Sequence, residues 1–441
     1  VDKSNHAGQP LGGSPKRVCL VYDCLFPHTV GGAERWYRNL AERLVAGGHE
    51  VTYLTLRQWP RGADPGLRRV DVRAVGPRMS LYAAPGRRRI LPPIVFGLGV
   101  LWHLVRYGRR YDVVHTASFP YFSLLGAALV RSLWRFRLVV DWHEVWTRDY
   151  WREYLGGPAG YLGWLVQSLC ARVPQCAFSF SRLHADRLRE EGLRGEIITL
   201  PGEYAGRLDV RPAREVEPIV LFAGRHIPEK RVLAIPPAIA LARKTVPQLQ
   251  AVILGDGPER RQLVQRVAEL ELGDAIEVPG FVAPDTVDKL MGSALCVVLP
   301  SRREGYGMVV IEAAARGTPS IVVADPDNAA VELMADGVNG FVAASASDRD
   351  LAAAILQVCS GGATLRSSTA GWFAGNARRL SVGHSLEIIL TTYDSGLRLQ
   401  LENSRRTRPT TLTSLRLRLR RNRRSRGNHD DSGLIGWTHA R

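Results

Sequence analysis

Two carboxylates, Glu304 and Glu312, flank a Gly305-Tyr306-Gly307 joint in the stretch SRREGYGMVVIEAAARGTP, residues 301–319. The apolar run ALCVVLPS ahead of it (294–301) reads as a strand and MVVIEAAARG after it as a helix. Glu304 then lies in the loop beyond the strand and Glu312 two turns into the helix. A helix N-terminus holds anions, so one acid could address a polyol near a phosphate and the other accept from a ribose. Acids early in a helix also complement its dipole with no ligand involved, and spacing alone leaves both readings open.

Two further stretches carry compatible chemistry. FAGRHIPEKR (222–231) puts Arg225 and Lys230 in one loop after a strand, where a guanidinium fork and an ammonium could hold a diphosphate; a solvated basic loop would look the same. GGAER (31–35) places Gly31 and Gly32 between a first strand and a first helix, which allows close approach of backbone N–H groups to an anion or simply a tight turn. It is not GxGxxG, and no acid stands where a nicotinamide ribose would be read, so a dinucleotide cofactor is not expected.

The elements that must position these residues alternate. RVCLVYD (17–23), HEVTYLTL (49–56), DVVHTAS (112–118), RLVVDWHE (137–144), CAFSFS (176–181) and EIITLP (196–201) read as strands separated by helical stretches. PGEYAGRLDVRPAREVEP (201–218) breaks the pattern, and a second series follows at 219–225, 249–257, 275–281, 294–301 and 319–325. The fold class is therefore α/β: two Rossmann-like, doubly wound domains facing a cleft, with ligands expected at the carboxyl ends of the strands. The boundaries that follow are a disordered leader at 1–16, a first domain at 17–201, a linker at 202–217, a second domain at 218–370, C-terminal helices at 371–400 crossing back to the first domain, and a disordered basic tail at 401–441.

A chain of 441 residues with 45% hydrophobic and 23% charged residues can bury two large cores. The leader lacks an apolar signal region. The six cysteines (Cys19, Cys24, Cys170, Cys176, Cys296, Cys359) show neither CxxC pairs nor metal spacing, as reduced core thiols of a cytoplasmic protein would. The net charge is +17, but residues 402–441 hold eleven arginines against three acids, so about half the excess belongs to the tail. That tail suits anionic lipid or plain solvation; no nucleic-acid reading module accompanies it, and nucleic acid is not an expected partner. In RRRILPPIVFGLGVLWHLVRYGRR (87–110), sixteen uncharged residues from Ile90 to Val105 lie between basic clusters. The segment is short for a membrane span and fits either the plane of an anionic membrane surface or a buried helix. Trp134, Arg135, Arg137 and the aromatic run DWHEVWTRDYWREYL could extend such a surface, stack on sugar, or be core.

Taken together, GGAER, AGRHIPEK, ILGDGPE, PSRREGYGMVVIEAAARGTP and ELMADGVNGFV resemble family 4 of the retaining glycosyltransferases, over about residues 17–395. The resemblance implies the GT-B architecture, an N-terminal acceptor domain and a C-terminal domain for a UDP- or GDP-sugar. It also implies a glycan or glycolipid acceptor, no cofactor, and a cytoplasmic location, peripheral on the inner face of the cell membrane if residues 87–110 touch lipid. By its residue matches, Glu312 would bind the ribose, Glu304 the donor sugar, and Arg225 with Lys230 the diphosphate. Gly305, Tyr306, Gly307 and Met308 would cradle phosphate and sugar, Gly31 and Gly32 would close over the diphosphate, and His143 would face the sugar.

Two departures stand out. DNAAVE (327–332) replaces a usual double glycine and bears on the sugar pocket; Pro201-Gly202-Glu203 replaces Pro-Asn-Gly and is expected to concern the hinge alone. The DPD at 325–327 imitates a metal motif of another fold but sits in a post-strand loop, and no metal is assigned. Departure of a nucleoside diphosphate would instead be eased by Arg225, Lys230 and the helix N-terminus. The rival readings are a nucleotide-sugar epimerase, for which no acid–base set is apparent, and a catalytically silent sugar-nucleotide or membrane-binding protein.

Overall fold

The computed structural model describes residues 14–81, 88–210 and 216–406, with side chains to residue 394. Seven parallel strands form the first sheet: β1 (Arg17–Val21), β2 (Glu50–Leu56), β3 (Asp71–Gly76), β4 (Val113–Ala117), β5 (Arg137–Trp142), β6 (Gln175–Ser179) and β7 (Gly195–Thr199), in the order β3-β2-β1-β4-β5-β6-β7. Between them run α1 (Gly32–Ala46), α2 (Leu91–Tyr107), α3 (Tyr121–Trp134), α4 (Arg148–Leu155), α5 (Gly157–Ala171) and α6 (Arg182–Glu190).

The second sheet comprises β8 (Glu217–Ala223), β9 (Gln250–Leu254), β10 (Ile276–Gly280), β11 (Ala294–Leu299), β13 (Ser320–Val323) and β15 (Gly340–Ala343), ordered β10-β9-β8-β11-β13-β15. A separate two-stranded ribbon pairs β12 (Arg303–Glu304) with β14 (Asp327–Asn328). Its helices are α7 (Ile235–Arg243), α8 (Arg260–Glu269), α9 (Pro284–Ser293), α10 (Met308–Ala314), α11 (Asp348–Leu380) and α12 (Val382–Arg406). In both sheets strand order reverses beside the first strand, between β1 and β4 and between β8 and β11, which opens a crevice at the strands' carboxyl ends.

Central strands such as RVCLV and VVHTA are buried along nearly their whole length, as parallel strands covered on both faces must be. Helix starts are fixed locally: Thr147 and Ser181 accept from the N–H groups of Tyr150 and His184 at the heads of α4 and α6. The largest apolar cluster spans the first sheet, α10 and the last two helices, so Tyr306, Val310 and Ile311 share a core with Leu20, Phe178 and Tyr393.

β3, a half-buried edge strand whose DVRAVG mixes charge with apolar residues, and the short β12, β14 and β15 have no counterpart among the expected strands. The expected boundary at 370 falls inside α11, whose break comes at Gly362, a residue with positive φ (46°). α12 continues to Arg406, past the expected start of the tail at 401, since no proline interrupts the chain from Val382 to Arg406. The leader to residue 13, linker residues 211–215, Arg87 and the tail from 407 lie outside the described residues.

The junction of α11 and α12 closes on residues 201–204. Tyr204 donates its N–H to Leu380 O (3.0 Å) and accepts from Val382 N–H (2.9 Å). Gly202 is required there, because a Cβ would come within 2.1 Å of the Leu380 carbonyl carbon. Further along α12, the Tyr393 hydroxyl reaches His115 Nδ1 (2.6 Å), whose Nε2 meets Asp141 (2.7 Å) in the buried core of the first sheet.

Candidate active site

The loop after β8 carries Arg225 and Lys230, and a neighbouring glycine pair braces it. Gly255 (φ 115°) leaves a hypothetical Cβ 1.9 Å from Gly224 O, and Gly257 (φ 159°) leaves one 2.4 Å from His226 O, so both must be glycine. His226 N–H donates to Asp256 O (2.9 Å), and Glu259 N–H to His226 O (3.0 Å). Held this way, Arg225 is exposed and makes no ion pair among the described residues. Lys230 turns inward and forms an ion pair with Glu304, whose Oε1 also accepts from the Ser301 hydroxyl (2.7 Å).

Past Glu304 the chain makes two close approaches. A Cβ on Gly305 would lie 2.6 Å from His143 O of the first lobe, and one on Gly307 (φ 98°) would lie 2.5 Å from the Ala330 Cβ. Tyr306 is buried and donates its hydroxyl to Pro201 O (2.8 Å). Met308, half-buried, opens α10, which at seven residues is shorter than the run MVVIEAAARG suggested. Glu312 faces Arg35 of the first lobe, with Oε1 3.5 Å from Nη1. Burial raises the Glu312 pKa, and Arg35 and Arg316 only partly offset it.

From the first lobe, His143 follows β5 and stacks on Phe180 (4.4 Å between centroids, 6° between planes). Its Nδ1 lies 3.6 Å from Glu203 Oε1, while its buried Nε2 has no hydrogen-bond partner among the described residues. Burial opposes charge on the ring, but Glu203, Asp141 and Glu144 outweigh it and raise the pKa above the ordinary histidine value. Gly31, at the head of α1, has an extended backbone that any residue adopts; a Cβ there would meet only the Glu34 side chain, and at Gly32 nothing lies within 4 Å. The pair therefore leaves room beside α1 but is not demanded by its backbone.

The structure corrects one expectation. Glu203 is buried against His143, so the Pro201-Gly202-Glu203 departure reaches the site as well as the hinge. The 327–332 departure binds the lobes together: the Glu332 carboxylate accepts from the N–H groups of Arg182 (2.8 Å) and Leu183 (2.7 Å) at the head of α6, and Asp327 pairs with Arg187 (2.5 Å). Asp325 pairs with Arg231 (2.9 Å), so both DPD acids are taken up by arginines.

Three residues that sequence reasoning left unassigned join this interface. Arg35 lies in the quoted GGAER, where only the glycines drew notice. Arg303, beside Glu304, is clamped over the rings of Tyr150 (3.7 Å) and Trp146 (4.3 Å) and lies 3.3 Å from Glu144. Glu229 accepts from the Tyr150 hydroxyl (2.8 Å). Thus Trp146 and Tyr150 of the aromatic run hold the second lobe, while Trp142 and Trp151 are core. His184, its pKa pushed down to about 4 by burial, fits between Val145 N–H (3.2 Å) and Glu304 O (3.4 Å).

A basic loop, a glycine joint, two acids and a histidine thus lie at the strand ends. Residues 31–202 match the glycosyl transferase 4-like domain, and residues 209–369 match glycosyl transferases group 1. Alpha-monoglucosyldiacylglycerol synthase of Streptococcus pneumoniae is 30% identical, over 77% of this chain and 78% of that one. Alpha-D-kanosaminyltransferase of Streptomyces kanamyceticus is 34% identical over a shorter stretch, 28% of this chain and 32% of that one. Among solved structures, sucrose-phosphate synthase of Thermosynechococcus elongatus superposes with a TM-score of 0.69 at 20% identity, over 88% of this chain and all of that one. Anabaena HepE in complex with UDP-glucose superposes at 0.61 and 17% identity, over 88% and 100%. The chain belongs to the family-4-type glycosyltransferases and has their GT-B fold.

Proposed function

We propose that this glycosyltransferase moves a hexose, with retention of anomeric configuration and without a metal ion, from a UDP- or GDP-sugar in the second lobe to a glycan or glycolipid acceptor on the first. The observation that carries the reading is the Lys230–Glu304 ion pair, with Arg225 exposed in the same loop as Lys230. A donor diphosphate competes with Glu304 for Lys230 and takes Arg225 as a second cation, which releases the Glu304 carboxylate for the sugar hydroxyls. Glu312 exchanges Arg35 for the ribose hydroxyls. His143, charged through Glu203, donates from the unpartnered Nε2 to the sugar side of the donor.

The C1–O bond to phosphate breaks while the acceptor oxygen bonds to C1 on the same face. The acceptor's proton passes to the departing phosphate oxygen, where Arg225 and Lys230 stabilise the charge. Water is kept out by the interlobe contacts of Arg303, Glu332 and Tyr306. Support for the donor class comes from HepE, whose structure holds UDP-glucose, and for a lipid-borne acceptor from the name of the pneumococcal relative. Proton NMR of the glycosidic linkage formed in EDTA from UDP- or GDP-hexoses and a glycolipid acceptor tests the reading. A linkage with the donor's own anomeric configuration is expected; the opposite anomer, or a strict need for added metal, would overturn it.

A further inference from the structure

Of the seventeen exposed large hydrophobic residues in the described chain, eleven lie on α2, α3 and α5 or immediately before α2. On α2, Leu91, Leu98, Trp102 and Val105 follow one another at helical spacing on the solvent side, with Trp102 65% exposed. On α3 the exposed pair is Leu129 and Leu133, and on α5 the stripe is Leu162, Leu165 and Leu169. α3 packs against both α2 and α5, so the stripes are neighbours on one flank of the first sheet. No aspartate or glutamate occurs in any of the three helices. A solvated helix face is ordinarily polar, and patches of this kind mark a partner.

Each of these helices links parallel strands, so all three run in the same direction and their carboxyl ends share an edge of the flank. Exposed arginines gather there: Arg106, Arg109 and Arg110 at the end of α2, Arg135 after α3, and Arg172 after α5. None of the five forms an ion pair among the described residues. Cations at helix ends complement the dipole, which accounts for their position but not for the leucines beside them. An isologous contact with a second copy would set this acid-free face against itself and leave the guanidiniums without carboxylates. A bilayer offers both an apolar interior and anionic headgroups, and Trp102, between Leu98 and the arginines, sits where an indole is placed at such a boundary. Among the described residues no helix is long and apolar enough to cross a membrane.

We propose that the α2–α3–α5 flank docks on an anionic lipid bilayer, its leucines in the acyl boundary and its arginine edge on the headgroups. The proposal goes beyond the transferase reading and does not depend on it, since the flank is distinct from the donor loops. It is tested by flotation of the full chain with vesicles of phosphatidylcholine alone or with about one third phosphatidylglycerol. Flotation is expected with the anionic vesicles only. Leu98→Glu with Trp102→Glu and Leu129→Glu, all at exposed positions, should lower the partition coefficient about tenfold or more with an unchanged melting temperature. Arg109→Ser and Arg110→Ser, which leave the apolar stripe intact, should each lower it roughly fivefold. Failure of the wild-type chain to float, or undiminished flotation of the triple variant because the basic tail carries binding, would overturn the proposal. So would a wild-type dimer that the triple variant abolishes while flotation is absent from both.

Discussion

The two lobes start from one plan and diverge in their flanks. Both sheets place the first strand beside a reversal of order, and both turn their chemistry toward the carboxyl ends. Among the described residues the second lobe exposes scattered large hydrophobics, Val264, Phe281 and Val338, over its helices and loops, whereas the first concentrates ten on three helices and an eleventh, Ile90, just before α2. Its strand-end loops differ in the opposite sense: those of the second lobe hold the glycine-braced Arg225–Lys230 loop and the Glu304–Glu312 joint, while the first contributes single residues, His143, Glu203 and Arg35. The comparison teaches that one αβ framework is specialised at its loops in one lobe and on its flank in the other.

The largest effect should come from the loop. Arg225→Ala with Lys230→Ala is expected to slow transfer by about 10²–10³-fold with a much smaller change in donor Kd, because the charge they oppose develops as the bond breaks; steady-state kinetics with separate donor titrations measures this. Gly202→Ala attacks the hinge, forcing a methyl group against the Leu380 backbone. It should cost about 1–3 kcal/mol of stability, read as a fall in Tm, and a neutral outcome would mean that the closure around residues 201–204 adapts.

A third test sharpens the role assigned to the first lobe. A histidine whose pKa is raised by folding contributes stability that is fully present below its ordinary 6.5 and is lost as pH rises through the raised value. His143→Gln should therefore destabilise more at about pH 5.5 than at about pH 8.5, and Glu203→Gln should flatten that difference. Denaturation midpoints across pH decide it. The smallest effect is expected for Arg35→Ala, since its pair with Glu312 is half-exposed and 3.5 Å long. Stability should change by less than about 1 kcal/mol, with the Glu312 pKa rising further as a cation is withdrawn.

What was legible in the chain follows from which interactions are local. The strand, joint and helix around Glu304 and Glu312 could be placed because apolar periodicity and two glycines lie within a few residues of each other, and β11 and α10 fall inside the expected runs. The glycine demands at 255 and 257 were visible as a motif, though their cause, contact with the loop after β8, was not. Arg35 with Glu312 and His143 with Glu203 are brought together by the packing of two lobes, and no spacing rule joins residues so far apart in sequence. For the same reason Glu203 read as hinge: its residue type signals nothing until the turn of β5 delivers His143 beside it. The surface expected from 87–110 extends in the sequence only to Trp134, Arg135, Arg137 and the aromatic run, and the leucine stripes of α3 and α5 emerge only when the sheet order sets three uncharged stripes side by side.

The central claim is that a nucleotide sugar occupies the crevice through Arg225, Lys230 and Glu312 without a metal ion. Thermal shift of the wild-type chain and of Glu312→Ala against UDP, GDP, ADP and their sugar conjugates, all in EDTA, tests it most directly. The account predicts selective stabilisation of the wild type by one uridine or guanosine nucleotide and its sugar, with most of the shift lost in Glu312→Ala. A shift of equal size in both proteins, or none with any nucleotide, would contradict it.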